Sequence, residues 1–189
     1  MPAPKRIIVG VTGASGFDYA VRILEMLRPQ AIETHLVVSR AAITAMSHET
    51  DMTFAEMKAL ADHCYDNRDI AAPIASGSFR TMGMIVAPCS AKSLAEIAMG
   101  TGGTLVARAA DVVLKERRRL VVLFRETPLH LGHCHNILRL TEMGGIVMPP
   151  VPAFYPKPKT INDMVTYTAA RALDLFDIDV QIGGRWKET

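Results

Sequence analysis

Apolar residues along this chain fall into two kinds of stretch that alternate. Short unbroken runs, Ile7-Ile8-Val9 with Val11, Met84 to Ala87, Leu120 to Phe124 and Ile146 to Met148, are joined by Glu33 to Val38, which alternates before turning fully apolar. Between them lie segments in which apolar residues recur every third or fourth position. A run with apolar side chains on both faces needs cover on both, so the runs predict parallel strands with helices above and below. The spaced segments supply those helices. Phe17, Ala20, Val21, Leu24 and Leu27 form one stripe that Pro29 brings to a stop. Leu105 to Lys115 carries Val106, Ala109, Ala110, Val113 and Leu114 on one side. Shorter helices are predicted over Arg40 to Ser47 and Ala91 to Ala98, and another from the capping box Thr53-Phe-Ala-Glu56 through Ala61. A last helix is predicted from Thr160 through Phe176. The polar stretch His48 to Asp69 is expected at the periphery, Ile70 to Arg80 as a loop of small residues, and Pro149 to Pro158 as a rigid excursion. Strands alternating with helices predict an α/β fold, a doubly wound parallel sheet in a single domain with a core of about residues 5–177 and a tail over 178–189.

Composition narrows the function classes. A chain of 189 residues with 49% hydrophobic content can bury one substantial core. Its 21 Lys and Arg against 19 Asp and Glu leave a formal charge of +2, which argues against a nucleic-acid surface and makes any anion site local. Cys64, Cys89 and Cys134 lack paired spacing, and no signal peptide or apolar run of transmembrane length is present, so a reducing cytoplasm is expected. With 6% aromatic residues and 11 methionines, the core must be largely aliphatic, and association with further copies of the chain is a natural way to cover the remaining apolar surface.

Candidate chemistry collects where the strands end. Gly13-Ala14-Ser15-Gly16 leaves backbone N–H groups bare at the opening of a helix, which reads as a phosphate cradle. The same residues also suit a tight turn that merely requires glycine. Ser39 and Ser90 follow the second and third runs, each able to meet a ligand and each equally a helix N-cap. Arg125-Glu126-Thr127 ends the fourth run. One hydroxyl or charge per strand end suits a mononucleotide, with one phosphate and a flat ring, better than a catalytic triad; no nucleophile elbow is present. Arg108 and Asp111 read as a helix-surface ion pair, and Lys115 with Arg117 to Arg119 as cations complementing a helix end. His130, His133 and His135 have no nearby carboxylate to complete a ligand set and read as surface histidines, without a metal.

Val11-Thr-Gly-Ala-Ser-Gly16, Ala87-Pro-Cys-Ser-Ala-Lys92, Arg108 to Arg117, Arg125-Glu-Thr-Pro-Leu-His130 and Met148 to Tyr155 together resemble the flavin prenyltransferases, the UbiX family formerly described as aromatic acid decarboxylases. The resemblance implies a flavodoxin-like, Rossmann-like sheet, and reduced FMN accepting a prenyl group from dimethylallyl monophosphate. It also implies metal independence, a homododecamer with active sites between subunits, and a product, prenylated FMN, used by UbiD-type decarboxylases. Carried over by position, Gly13, Ala14, Ser15, Ser39, Ser90, Ser93 and Arg125 would hold the flavin, with Ser93 where threonine is usual. Tyr155 and Arg171 would bind the donor phosphate with Arg108 and Lys115 of neighbouring chains, and Trp186 could wall the allyl group. Glu126 would be the acid/base group, and Ser15 would be catalytic with it. Phe17-Asp18-Tyr19 departs from the family's pattern and would place bulk and a carboxylate beside the flavin.

Three other functions are open to such a chain. Val-Thr-Gly-Ala-Ser-Gly also opens short-chain oxidoreductases, where Arg40 would suit NADP, but Tyr155 to Lys159 is interrupted by Pro156 and Pro158. A flavin-dependent cysteine decarboxylase would need signatures that are absent. A non-catalytic FMN-binding accessory subunit would have no use for Glu126, Tyr155 and Arg171.

Overall fold

The computed structural model describes residues 4–180. Strand β1 (Lys5–Val11) leads through helix α1 (Phe17–Leu27) to β2 (Ile32–Val38), and α2 (Arg40–Glu49) and α3 (Phe54–Lys58) lead on to β3 (His63–Asp66). After a single 3-10 turn at Pro73–Ala75, the chain continues as β4 (Gly83–Cys89), α4 (Ala91–Met99), α5 (Leu105–Lys115) and β5 (Arg119–Phe124). Helix α6 (Leu131–Glu142), β6 (Ile146–Val147) and α7 (Ile161–Asp174) complete it. All pairings are parallel, in the order β3-β2-β1-β4-β5-β6. The chain therefore builds outward from β1 on one side, then crosses to β4 and builds outward on the other. The reversal between β1 and β4 opens a crevice at their carboxyl ends, where ligands of such sheets bind.

Strand alternation divides the core into two layers. Ile7, Val9, Val11, Leu36, Val38, Ile85, Val121 and Leu123 point to the side covered by α1, α2 and α7. Ile8, Val37, Met84, Val86, Leu120, Val122 and Phe124 point to the side covered by α4, α5 and the 3-10 turn. Helix α1 buries Phe17, Ala20, Ile23, Leu24 and Leu27 as one stripe and ends ahead of Pro29, where the missing N–H and the ring forbid another turn.

The structure corrects the sequence reading in four places. His63–Asp66, expected at the periphery with no strand assigned to it, is a sixth strand at the sheet edge. An edge strand is covered less than a central one, so Cys64 and Tyr65 are only half-buried and no apolar run announces it. Without β3 the order is that of flavodoxin; with it, the sheet has the six-stranded dinucleotide-fold order. Helix α3 stops at Lys58 rather than Ala61. Ile178 and Val180, assigned to a tail, are buried in the α1/α7 layer. Phe17 turns into that same core rather than toward a ligand.

Candidate functional site

The switch point is held by one side chain. Thr12, buried at the end of β1, donates its hydroxyl to the Pro88 carbonyl at 3.0 Å and accepts the Ser90 N–H at 2.8 Å, while its own N–H reaches Pro88 at 3.2 Å. This ties the exits of β1 and β4 together. Beside them opens a cleft of about 460 Å³, lined among others by Gly13, Ser39, Arg40, Ser90, Lys92 and Ser93. Three helices aim their N-termini at it, each capped by a hydroxyl: Ser39 accepts from Ala42 N–H, Ser90 from Ser93 N–H, and Thr104 from Ala107 N–H. Ser90 Oγ also lies 3.2 Å from Ser93 Oγ. Asn67, at the end of β3, accepts the Leu105 N–H with its carbonyl and the Val106 N–H with its side chain, fixing the start of α5 against the cleft. Converging helix N-termini with Arg40 and Lys92 make the cleft attractive to an anion, and its hydroxyls can satisfy the polar edge of a ring.

Of the residues singled out from sequence, Gly13, Ser39, Ser90 and Ser93 meet in this cleft. The need for glycine at position 13 is one of packing: a Cβ there would come 2.5 Å from the Ala41 Cβ. Ala14 and Ser15 sit on the β1–α1 loop and do not line the cleft. The expectation of a bare cradle at the start of α1 needs revision. Glu49 accepts the Gly16 and Phe17 N–H groups at 2.9 and 3.2 Å, so a carboxylate of the chain itself occupies that helix end. Asp18 faces the groove between α1 and α7 with Arg22 and Asn162 rather than the cleft.

Arg125 leaves β5 with its N–H bonded to the Cys89 carbonyl at 3.0 Å. Its charge reaches Tyr19, whose phenol is raised above its usual pKa, chiefly by burial and then by Asp18, with Arg125 opposing. Glu126 is half-buried and accepts the Thr127 N–H at 3.0 Å. Burial pushes the Cys89 thiol up to about 12, which removes it as a nucleophile at neutral pH.

A second group forms on α7. Tyr155 and Tyr167 meet through their hydroxyls, with rings edge to face at 5.8 Å, and Arg171, one turn beyond Tyr167, pairs with Asp174 at 2.5 Å. Sequence reasoning missed Tyr167, although its i, i+4 spacing to Arg171 was a usable signal. Arg108 pairs with Asp111 at 2.8 Å and donates to the Ala75 carbonyl, and Lys115 pairs with Glu116 at 2.5 Å. Both lie on α5, across the sheet from α7. Trp186 falls outside the described residues. Tyr155 and Lys159 stand in irregular chain, so they do not form an oxidoreductase Tyr-x-x-x-Lys pair. His130 caps α6, its Nδ1 accepting the Gly132 N–H.

A family model described as Flavoprotein matches residues 1–173. The flavin prenyltransferase UbiX of Neisseria meningitidis serogroup B is 55% identical over 183 residues, covering 97% of each chain. The chain belongs to the UbiX flavin prenyltransferase family. Among solved structures of this family, AnUbiX in complex with FMN and dimethylallyl pyrophosphate superposes with a TM-score of 0.93 at 46% identity, over 97% of this chain and 99% of that one. A dodecameric FMN-dependent UbiX-like decarboxylase from Escherichia coli O157:H7 gives 0.94 at 48% identity, over 96% and 99%. As a flavin prenyltransferase, the chain needs to hold FMN, and the donor set of the cleft fits that molecule. Three helix N-termini and two cations suit one phosphate, and the serine hydroxyls suit a heterocycle edge. No helix among the described residues is long and apolar enough to cross a membrane.

Proposed function

We propose that the protein transfers a dimethylallyl group from dimethylallyl monophosphate to reduced FMN, giving prenylated FMN for a UbiD-type decarboxylase. The observation that carries this reading is the hydroxyl-rich cleft at the β1/β4 switch point, with helix N-termini converging on it. Bound there, reduced FMN supplies the nucleophilic ring and a π face. Ser39, Ser90 and Ser93 orient it by hydrogen bonds, Gly13 brings backbone close, and Arg125 at the exit of β5 contributes a fixed positive charge. Tyr155 and Arg171 hold the donor phosphate and stabilise the charge that grows on it as the allylic C–O bond breaks. Glu126 holds and moves the proton that the departing phosphate or the flavin exchanges, with Ser15 of the β1–α1 loop as the second catalytic residue.

Arg108 and Lys115 would join the phosphate from a neighbouring subunit. Helices α5 and α7 cover opposite faces of the sheet, so a site using both calls for a second copy. Leu131, Leu138, Val151, Phe154 and Ile161 are exposed apolar residues suited to burial between copies, in support of a homododecamer. Cys64, Cys89 and Cys134 are free thiols, in keeping with a reducing cytoplasm.

Anaerobic incubation of purified protein with reduced FMN and dimethylallyl monophosphate, or in parallel the pyrophosphate, followed by mass analysis of the flavin, tests the proposal. A flavin heavier by one dimethylallyl group is expected. Saturated FMN binding with an unmodified flavin under both donors would favour the accessory-subunit reading instead.

A further inference from the structure

A second polar constellation lies in the amino-terminal half of β2 and the first residue of β3, away from the flavin cleft. Glu33 and His35 are two residues apart on β2, on the same face as Val37, which belongs to the α4/α5 layer. His63 is the registered partner of His35 across the parallel pair. Backbone register alone therefore brings the three side chains together.

Their ligand atoms lie within 4.8 Å of one another. Glu33 Oε1 stands 3.0 Å from His35 Nε2 and 3.1 Å from His63 Nε2, and its other oxygen, Oε2, accepts from Arg6 Nε at 3.2 Å. His35 is 1% exposed, and its Nε2, within ion-pair distance of Glu33, makes no well-aligned hydrogen bond to it. A buried ring nitrogen that faces a carboxylate without an aligned hydrogen bond is under-satisfied, and an ion bonded to both atoms would relieve that. The opposite nitrogen, Nδ1, is 2.9 Å from the Tyr65 hydroxyl. A metal-binding histidine is oriented in this way, one nitrogen on the ion and the other held by a polar partner. The ring is fixed further by stacking on His63 at 4.9 Å and by the edge of Phe79 at 5.0 Å.

We propose that Glu33, His35 and His63 bind one zinc-class divalent metal ion, with water completing the coordination, as a tie between β2 and the edge strand β3. Two imidazoles, one carboxylate and an open position form an established zinc donor set, and bonds of about 2.0–2.1 Å space tetrahedral ligand atoms about 3.3 Å apart. The Glu33 distances are close to that spacing, and the half-exposed His63 ring can turn to meet it. Arg6 opposes the ion electrostatically. Its guanidinium lies over the Phe79 ring at 4.6 Å and is paired to the oxygen that the ion does not use, so it lowers affinity and also orients Glu33. The site stands apart from the flavin residues and takes no part in prenyl transfer.

The test is titration of chelator-stripped, FMN-loaded full-length protein with zinc chloride by calorimetry, and with cobalt(II), whose visible absorption reports tetrahedral nitrogen and oxygen ligation. The expected result is one saturable equivalent per chain, a rise in Tm on adding zinc, and a loss of at least tenfold in affinity for His63→Ala. His48→Ala, on the exposed end of α2, should bind as the wild type does. Glu33→Gln serves as a second variant should His63→Ala fold poorly, with the same tenfold loss expected. No saturable binding by the wild type, or binding by His63→Ala and Glu33→Gln as tight as the wild type's, would overturn the proposal.

Discussion

The two ends of this sheet present opposite chemistry although the same strands run through both. At the exits of β1, β2 and β4 the chain offers donors: helix N-termini, serine and threonine hydroxyls, Arg40 and Lys92. Near the entries of β2 and β3 it gathers acceptors, with Glu33, His35 and His63 in one cluster and Asp62 accepting from Thr34 N–H and Oγ1 at 2.7 and 2.8 Å. The cause is topological. In a doubly wound sheet a crossover helix such as α1 returns antiparallel to its strands, so its positive end stands at the strand exits and its negative end at the entries, whereas α2, whose Glu49 caps the start of α1, keeps both ends at the exits. A phosphate-bearing flavin belongs to the first end and a cation to the second. Substitutions at the exits should therefore change chemistry with little effect on stability, and substitutions at the entries the reverse.

Glu126→Gln is expected to give the largest effect on the exit side. It keeps the side chain's shape and its contact with Thr127 while removing the titrating group, so turnover should fall by roughly 10²- to 10⁴-fold with FMN affinity retained. Weakened flavin or donor binding with an intact single-turnover rate at saturation would instead make Glu126 an orienting residue. Gly83→Ala probes the entry side. Gly83 opens β4 with φ +144°, and an added Cβ would run into the Arg119 carbonyl oxygen of the neighbouring strand. A loss of roughly 2–4 kcal/mol in denaturant unfolding is expected, with normal flavin stoichiometry in the folded fraction. Loss of flavin affinity at unchanged stability would break the contrast between the ends.

Arg125→Ala returns to the exits. Removing a charge-assisted contact should weaken FMN by about 1.5–3 kcal/mol in a direct titration, with little change in Tm. Unchanged affinity would assign Arg125 to structure. The smallest effect concerns α7, which carries Tyr167 and Arg171. Asp163 accepts the Lys159 and Thr160 N–H groups, which hold its carboxyl below the usual value of 3.8. Because its folded-state pKa is depressed, its contribution is complete above that value and disappears as pH falls through the lower, folded one. Asp163→Asn should therefore lower helicity slightly at neutral pH and flatten the helicity change on acidification below about pH 4. An unaltered acid profile by circular dichroism would show that the cap does not govern α7.

Much of the fold could be read from the chain because central parallel strands are covered on both sides. Ile7 to Val11, Met84 to Ala87 and Leu120 to Phe124 must then be apolar at successive positions, and few other structures need that. Strand β3 gave no such signal, since His63 and Asp66 stand on a partly solvated edge where polar residues are allowed. At the site, Ser39 and Ser90 were legible because a hydroxyl after a strand and before a helix has a short list of uses. Thr12, Asn67 and Thr104 were missed: their roles depend on segments far away in sequence, Thr12 acting on Pro88 and Asn67 on Leu105 and Val106.

By itself, then, the sequence determined the alternation of strands and helices, the two buried layers and the placement of small hydroxyl residues at strand exits. Each of these is a local matter of side-chain periodicity and backbone capping. Tertiary structure alone decided that Glu49 caps α1, that Ile178 and Val180 join the core, and that Arg108 and Arg171 stand on opposite faces of the sheet. It also decided that His35 meets His63 in register, a pairing between strands that no spacing along the chain records. Register and layer are settled by which strands pair and in what order, and that choice follows from burying all apolar faces at once rather than from any one segment.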